Sequence, residues 1–146
     1  MRIAIAADHA GFELKSSLIT YLEKTDHEVT DFGTSSPEST DYPDYVHPMV
    51  QAVLDESNDF GIAICGSGNG VCMTANKYIS IRAAMAWNEE LAKLARQHNN
   101  ANVLCLPSRF IDTATAVAAV NAFMDTEFEG GRHQRRIEKI SPVSKD

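Results

Sequence analysis

The sequence predicts an α/β protein, a three-layer α/β/α sandwich around a five-stranded parallel sheet, Rossmann-like in plan. Three observations predict it. Five short strand-like runs, four of them apolar, alternate along the chain with longer stretches whose apolar residues recur at helical spacing. Strands separated by helices run parallel and are covered on both faces. No internal repeat, linker or low-complexity tract divides the chain, so residues 1–146 are expected to form a single domain.

The first strand, residues 2–7, reads RIAIAA and ends in Asp8-His9-Ala10-Gly11. A helix follows with Leu14, Leu18 and Leu22 on one face. Asp8 reads either as a helix cap or as a ligand group, since Asp is favoured at N-caps. His9 adds a titratable side chain at the carboxyl end of a strand, where open α/β sheets place their ligands. Residues 28–32 form a second strand, closed by Gly33. Residues 34–44 are polar and make a long loop of a length that often binds ligands. Tyr42 within it either reaches a ligand or packs as a lid. A helix over residues 45–56 sets Val46, Met49, Val50 and Val53 at core spacing.

The stretch FGIAICGSGNGVCMTAN, residues 60–76, organises the rest. Its apolar run is a buried strand that delivers Cys65 to its carboxyl end as Gly66, Gly68 and Gly70 begin. Glycines let the backbone turn sharply and let a ligand approach the amides. A helix over residues 71–77 then aims its unpaired N–H groups at the same place, which favours an anion and a thiolate. Known loops do not fit. The dinucleotide fingerprint G-x-G-x-x-G fails because the third glycine comes early, at Gly70, with Val71 where it should stand. A P-loop needs Gly-Lys-Ser/Thr, and no lysine precedes Lys77; a cysteine phosphatase would need arginine at Val71. Cys65 therefore reads as a reactive thiol or as a buried structural one.

Residues 81–86 give a fourth strand, and Asn88 caps a helix in which Leu91, Leu94, Ala95 and His98 share a face. His98 ends that helix, where histidine also suits the dipole; Asn99 and Asn100 follow, then a fifth strand over residues 103–106. After Pro107-Ser108-Arg109, a helix over residues 111–124 carries Ala116, Val120, Phe123 and Met124 on one stripe. Gly130-Gly131 breaks the chain before a basic helix of about residues 132–140, with Arg132, Arg136 and Lys139 on one side. Such a row is either a solvated face or a grip on an anionic small molecule or a partner subunit. Guanidinium groups match phosphate oxygens in pairs.

Composition narrows the function. With 13 basic and 20 acidic residues the formal charge is −7, which argues against broad nucleic-acid or anionic-membrane binding. No apolar run approaches a membrane span and the chain enters a strand at once, so a cytoplasmic protein without membrane contact is expected. Three cysteines without CxxC spacing indicate neither a disulfide framework nor a zinc site.

Taken together, Asp8-His9-Ala10-Gly11, Cys65-Gly66-Ser67-Gly68-Asn69-Gly70, Ala75-Asn76-Lys77, Arg82-Ala83-Ala84, His98-Asn99-Asn100-Ala101-Asn102 and Arg132-x-x-x-Arg136 make the sequence resemble the type B ribose-5-phosphate isomerases, the ribose and galactose isomerase group. The resemblance covers the chain to about Ile140. It implies a metal-independent, cofactor-free aldose-ketose isomerase working on a phosphorylated pentose through a cis-enediolate. By the same resemblance Cys65 is the base, His98 opens the sugar ring and Arg109, Arg132, Arg136 and His9 hold the phosphate. Asp8, Tyr42, Gly66, Gly68, Asn69, Gly70 and Asn99 line the sugar, and homodimers or tetramers share sites between chains. Ser67, where many relatives carry threonine, keeps a hydroxyl able to relay a proton. Pro107-Ser108 stands where glycines are common, and Asn69 where isoleucine is. Two other readings fit the same residues: an isomerase of six-carbon sugar phosphates such as allose 6-phosphate or galactose 6-phosphate, and a non-catalytic sugar-phosphate sensor.

Overall fold

The structure is a computed structural model and describes residues 1–142. Among those residues five strands form: β1 (Arg2–Ala7), β2 (Glu28–Asp31), β3 (Phe60–Cys65), β4 (Ala83–Met85) and β5 (Val103–Pro107). They pair in the order β2-β1-β3-β5-β4, and all four pairings are parallel. The helices between and after them are α1 (Phe12–Lys24), α2 (Pro43–Leu54), α3 (Asn69–Ala75), α4 (Glu89–Asn99), α5 (Thr113–Asp125) and α6 (Arg132–Ile137).

Alternation along the strands decides which helices cover which face. Ile3, Ile5, Ile62, Ile64, Leu104 and Leu106 point to one side, where they bury the apolar faces of α1, α4 and α5. Ala4, Ala6, Ala63, Cys65, Val103 and Cys105 point to the other, against α2 and α3. The expected α/β/α sandwich is thus built from near-continuous apolar strands.

Several boundaries differ from the periodicity, each for a local reason. Helix α2 starts earlier, at Pro43, because a proline in the first turn gives up no hydrogen bond. Helix α3 also starts earlier, at Asn69, directly after Gly68 takes a left-handed conformation (φ 76°). Asp112 caps α5 by accepting from the Thr115 N–H at 2.7 Å, so that helix begins at Thr113. Strand β4 shrinks to three residues between two asparagine clamps. Asn76 exchanges side-chain hydrogen bonds with the backbone of Ala83, and Asn102 accepts from the Arg82 N–H while donating to the Ser80 carbonyl. The basic helix stops at Ile137, which leaves Lys139 outside it. On α4 the buried residues are Ala92 and Ala95, while Leu91 is 42% exposed. Lys15 is buried on α1 and ion-paired to Asp31 of β2.

Candidate active site

Strand order reverses between β1 and β3, whose neighbours lead away to opposite edges of the sheet. Open α/β sheets leave a crevice there, beyond the carboxyl ends of the strands. Asp8 and His9 leave β1 at that crevice, Cys65 to Gly70 leave β3, and Arg109 follows β5. A cleft of about 510 Å³ at this place is lined by Asp8, His9, Tyr42, Cys65, Gly66, Ser67, Gly70 and Arg109, with Phe110 at its margin.

Each wall has its own cause. Asp8 Oδ1 accepts the N–H groups of Ala10 (2.9 Å) and Gly11 (3.2 Å), so the carboxylate does shape the turn into α1 while it also faces the cleft. His9 Nδ1 accepts the Thr40 N–H at 3.2 Å, which leaves Nε2 as the donor of a neutral ring. Thr40 is held in turn by Tyr45 through a 2.7 Å hydroxyl contact. The Cys65 carbonyl accepts from Ser108 N–H and Oγ, and the Gly66 carbonyl accepts the Arg109 N–H at 3.1 Å. These bonds stitch the glycine loop to the loop after β5 and lay the Arg109 side chain over Gly66. Ser67 Oγ accepts the Asn69 N–H at 3.3 Å, while the N–H groups of Ser67, Gly68 and Gly70 donate to no protein acceptor among the described residues. Those amides are available to an oxyanion.

Not every expected residue meets there. Gly68 packs against the β5 backbone near Leu106 and Pro107, and so shapes the loop from behind. Asn69 lines a separate hollow with Cys72, Met73 and Met85. His98 and Asn99 end α4, which returns toward the start of β5. Val103 pairs with Gly61 there, whereas Pro107 pairs with Cys65. Four residues of strand, roughly 13 Å, separate those levels. His98, Asn99, Arg132 and Arg136 therefore lie by the amino edge of β5, and within one chain they do not reach the Cys65 cleft. Arg82 Nε donates to the carbonyls of Asn99 and Asn100, both at 3.0 Å, and anchors that helix end.

Sequence reasoning missed His133. It is buried on α6 and its ring stacks on His98, with centroids 4.3 Å apart and planes 13° from parallel. Burial, then the charges of Arg132 and His98, hold its imidazole below the ordinary range, against the pull of Glu129. The other two thiols form a pair behind the cleft. The hydrogen bond that Cys105 donates to Cys72, together with full burial, pushes the Cys105 thiol well up, and the same bond draws Cys72 down.

Residues 3–140 match the pattern of the Ribose/Galactose Isomerase family. The chain belongs to that family. It is 42% identical over 142 residues to the ribose-5-phosphate isomerase B of Escherichia coli, covering 97% of this chain and 95% of that protein. Against a solved ribose 5-phosphate isomerase from Thermotoga maritima the identity is 51% and the TM-score 0.95, covering 97% and 98% of the two chains. A ribose-5-phosphate isomerase B from Mycoplasma genitalium, solved with bound ribulose-5-phosphate, is 46% identical with a TM-score of 0.91, over 95% and 93%. These family members and this chain share the three-layer plan. Among the described residues no helix is long and apolar enough to cross a membrane.

Proposed function

We propose that the protein is an aldose-ketose isomerase that interconverts ribose 5-phosphate and ribulose 5-phosphate, with Cys65 as the base. The observation that carries this reading is a thiol at the floor of a cleft whose other walls are hydrogen-bond donors and carboxylate: Asp8, His9, Tyr42, Ser67 and Arg109. The relative with bound ribulose-5-phosphate supports the substrate class.

The chemistry follows from the groups present. The Cys65 thiolate takes the proton from C2 of the open-chain aldose, and the electron pair moves to form a C1–C2 double bond as the carbonyl oxygen becomes an oxyanion. The free amides of Ser67, Gly68 and Gly70 stabilise that charge without reorganising. Ser67 Oγ moves a proton between O2 and O1, and the Cys65 thiol returns its proton to C1. Asp8 and Tyr42 orient the sugar hydroxyls, while Arg109 and His9 Nε2 meet the anionic end. Remote binding of the phosphate holds the reacting carbons against the sulfur.

Ring opening needs a group that this half-site lacks. We assign it to His98 of the partner subunit, with Asn99, Arg132 and Arg136 of the partner subunit on the sugar and phosphate. The distance between the two sets across the sheet supports a homodimer, since one chain cannot supply both. The protein would then work in the cytoplasm on a soluble metabolite. A coupled assay of purified protein without added metal tests the activity, and incorporation of solvent deuterium tests the enediolate. Full turnover by Cys65→Ala rejects Cys65 as the base. Mixing inactive Cys65→Ala and His98→Asn chains tests the sharing: restored activity is expected, and none rejects it.

A further inference from the structure

One group of side chains outside the Cys65 cleft is arranged for a ligand the isomerisation does not use. His98, Glu129 and His133 each offer one donor atom, and those atoms lie within 4.8 Å of one another. They come from the end of α4, the segment before Gly130-Gly131 and the first turn of α6, and the backbone ties them together. The Glu129 N–H donates to the Gln97 carbonyl at 3.1 Å, and the His133 N–H to the Gly130 carbonyl at 3.0 Å. The His133 side chain is only 7% exposed, and its Nε2 has no hydrogen-bond partner among the described residues. Glu129 Oε2 stands 3.5 Å from that nitrogen, beyond the usual range of an N–H···O bond. A buried ring nitrogen without a partner requires an explanation, because leaving it unsatisfied is unfavourable.

We propose that His98, Glu129 and His133 form a binding site for a divalent transition ion, zinc above all. Two imidazole nitrogens and one carboxylate oxygen are a donor set that zinc takes in tetrahedral geometry, with water in the fourth place. Imidazoles disfavour magnesium and calcium, and the absence of a thiolate in the trio disfavours copper(I). Zinc–ligand bonds of about 2.0–2.1 Å put tetrahedral donor atoms roughly 3.3 Å apart, so the trio must close by at most about 1.5 Å. The near-parallel stack must open as it closes. Exposed Glu129 and partly exposed His98 have the freedom to move, while buried His133 stays in place. Arg132 and Arg136 oppose a cation nearby, which makes this site weaker than a structural zinc centre.

The consequence rests on the isomerase reading above. An imidazole whose nitrogen is bound to zinc can no longer take and return a proton there. Metal binding and ring opening at His98 therefore exclude each other, and zinc acts as a reversible inhibitor.

The test uses the full-length, metal-stripped protein and cobalt(II) as a spectroscopic probe, followed by zinc competition. Expected are ligand-field bands with one ion per chain and no near-ultraviolet sulfur-to-cobalt charge transfer. Glu129→Gln should weaken binding at least about tenfold, since removing even an outer-shell support of a ligand does that much. Its rate without metal should equal that of the parent, and its half-inhibitory zinc concentration should rise by a similar factor. No cobalt binding up to millimolar concentrations overturns the site, as does unchanged affinity in Glu129→Gln. A thiolate band that disappears in Cys65→Ala overturns it too, by placing the metal on the base. Binding without inhibition overturns the exclusion and the role given to His98, and leaves the site standing.

Discussion

Gly70→Ala separates the binding role proposed for the glycine loop from its part in folding. A Cβ at this position would lie 2.6 Å from Tyr42 Oη and 2.7 Å from Cε1, and closer still to Cζ. Ordinary carbon contacts need about 3.5–4.0 Å, so the tip of the Tyr42 ring must retreat by about 1 Å or more. Two opposing effects act on stability. Alanine in a helix is favoured over glycine by roughly 1 kcal/mol, and overpacking costs about 1–3 kcal/mol. The net change is at most about 2 kcal/mol, a fall in Tm of roughly 8 °C or less for a chain of this size. Catalysis should suffer more in proportion. On the proposed reading, moving Tyr42 off the sugar removes a contact worth about 1–2 kcal/mol, a drop of roughly 5–30-fold in kcat/KM. The assay is the coupled isomerase rate over substrate concentration, alongside a thermal melt, for Gly70→Ala, Tyr42→Ala and the double variant. The two losses should not add, because both act through one side chain. Parental kcat/KM in Gly70→Ala, or full additivity in the double variant, would refute the reasoning.

Four further outcomes follow from the same geometry. Cys65→Ser, which keeps the size but not the acidity of the thiol, should lower kcat by about 10²–10⁴ while substrate still protects the protein from thermal unfolding. Gly68→Ala, at φ 76°, should cost roughly 1–2 kcal/mol in denaturant unfolding because the left-handed backbone disfavours a Cβ. The depressed His133 pKa means the unfolded chain binds more protons below about pH 6.5, so stability present above that pH is lost as pH falls. The slope of Tm against pH between about 7 and 5 should flatten in His133→Asn relative to the parent. Iodoacetamide should label Cys72 well before Cys105, as read by mass spectrometry, since their shared hydrogen bond lowers the first thiol and raises the second.

The parts of the fold legible in the sequence were those fixed by local chemistry. The apolar runs of β1, β3 and β5, the glycine turn after Cys65 and the Asn88 cap each depend on residues close by in the chain. Asn88 does cap α4, accepting the Leu91 N–H at 2.9 Å. The face of α4 was not legible, because stripes through Leu91 and through Ala92 are equally periodic and only packing against α5 and the sheet selects the second. The burial of Lys15 was not legible either, since its partner Asp31 lies sixteen positions away and on a different element. Asp8, His9 and Cys65 could be placed together because each follows a strand at the same end of the sheet, whereas Tyr42 and Arg109 joined them only through the family resemblance. The stack of His98 on His133 was not legible, since 34 residues of intervening chain, including β5 and α5, must fold before the rings meet.

The strand side chains on the two faces of the sheet are unequal in size, and that inequality bears on how the protein can change over generations. Large aliphatics on the α1, α4 and α5 side can trade a methylene with their neighbours, as most cores allow. The alanine side admits no such exchange: a Cβ on Gly61 alone would come 2.5 Å from Met49 Sδ and 3.1 Å from Val103 Cγ2. Any bulk gained at Ala4, Ala6 or Ala63 would lift α2 and α3 together, carrying Tyr42 and Gly70 away from the sulfur. Descendants of this chain should therefore diversify on one flank while the other stays small, a bias that deep mutational scanning would read as two flanks with opposite tolerance for size.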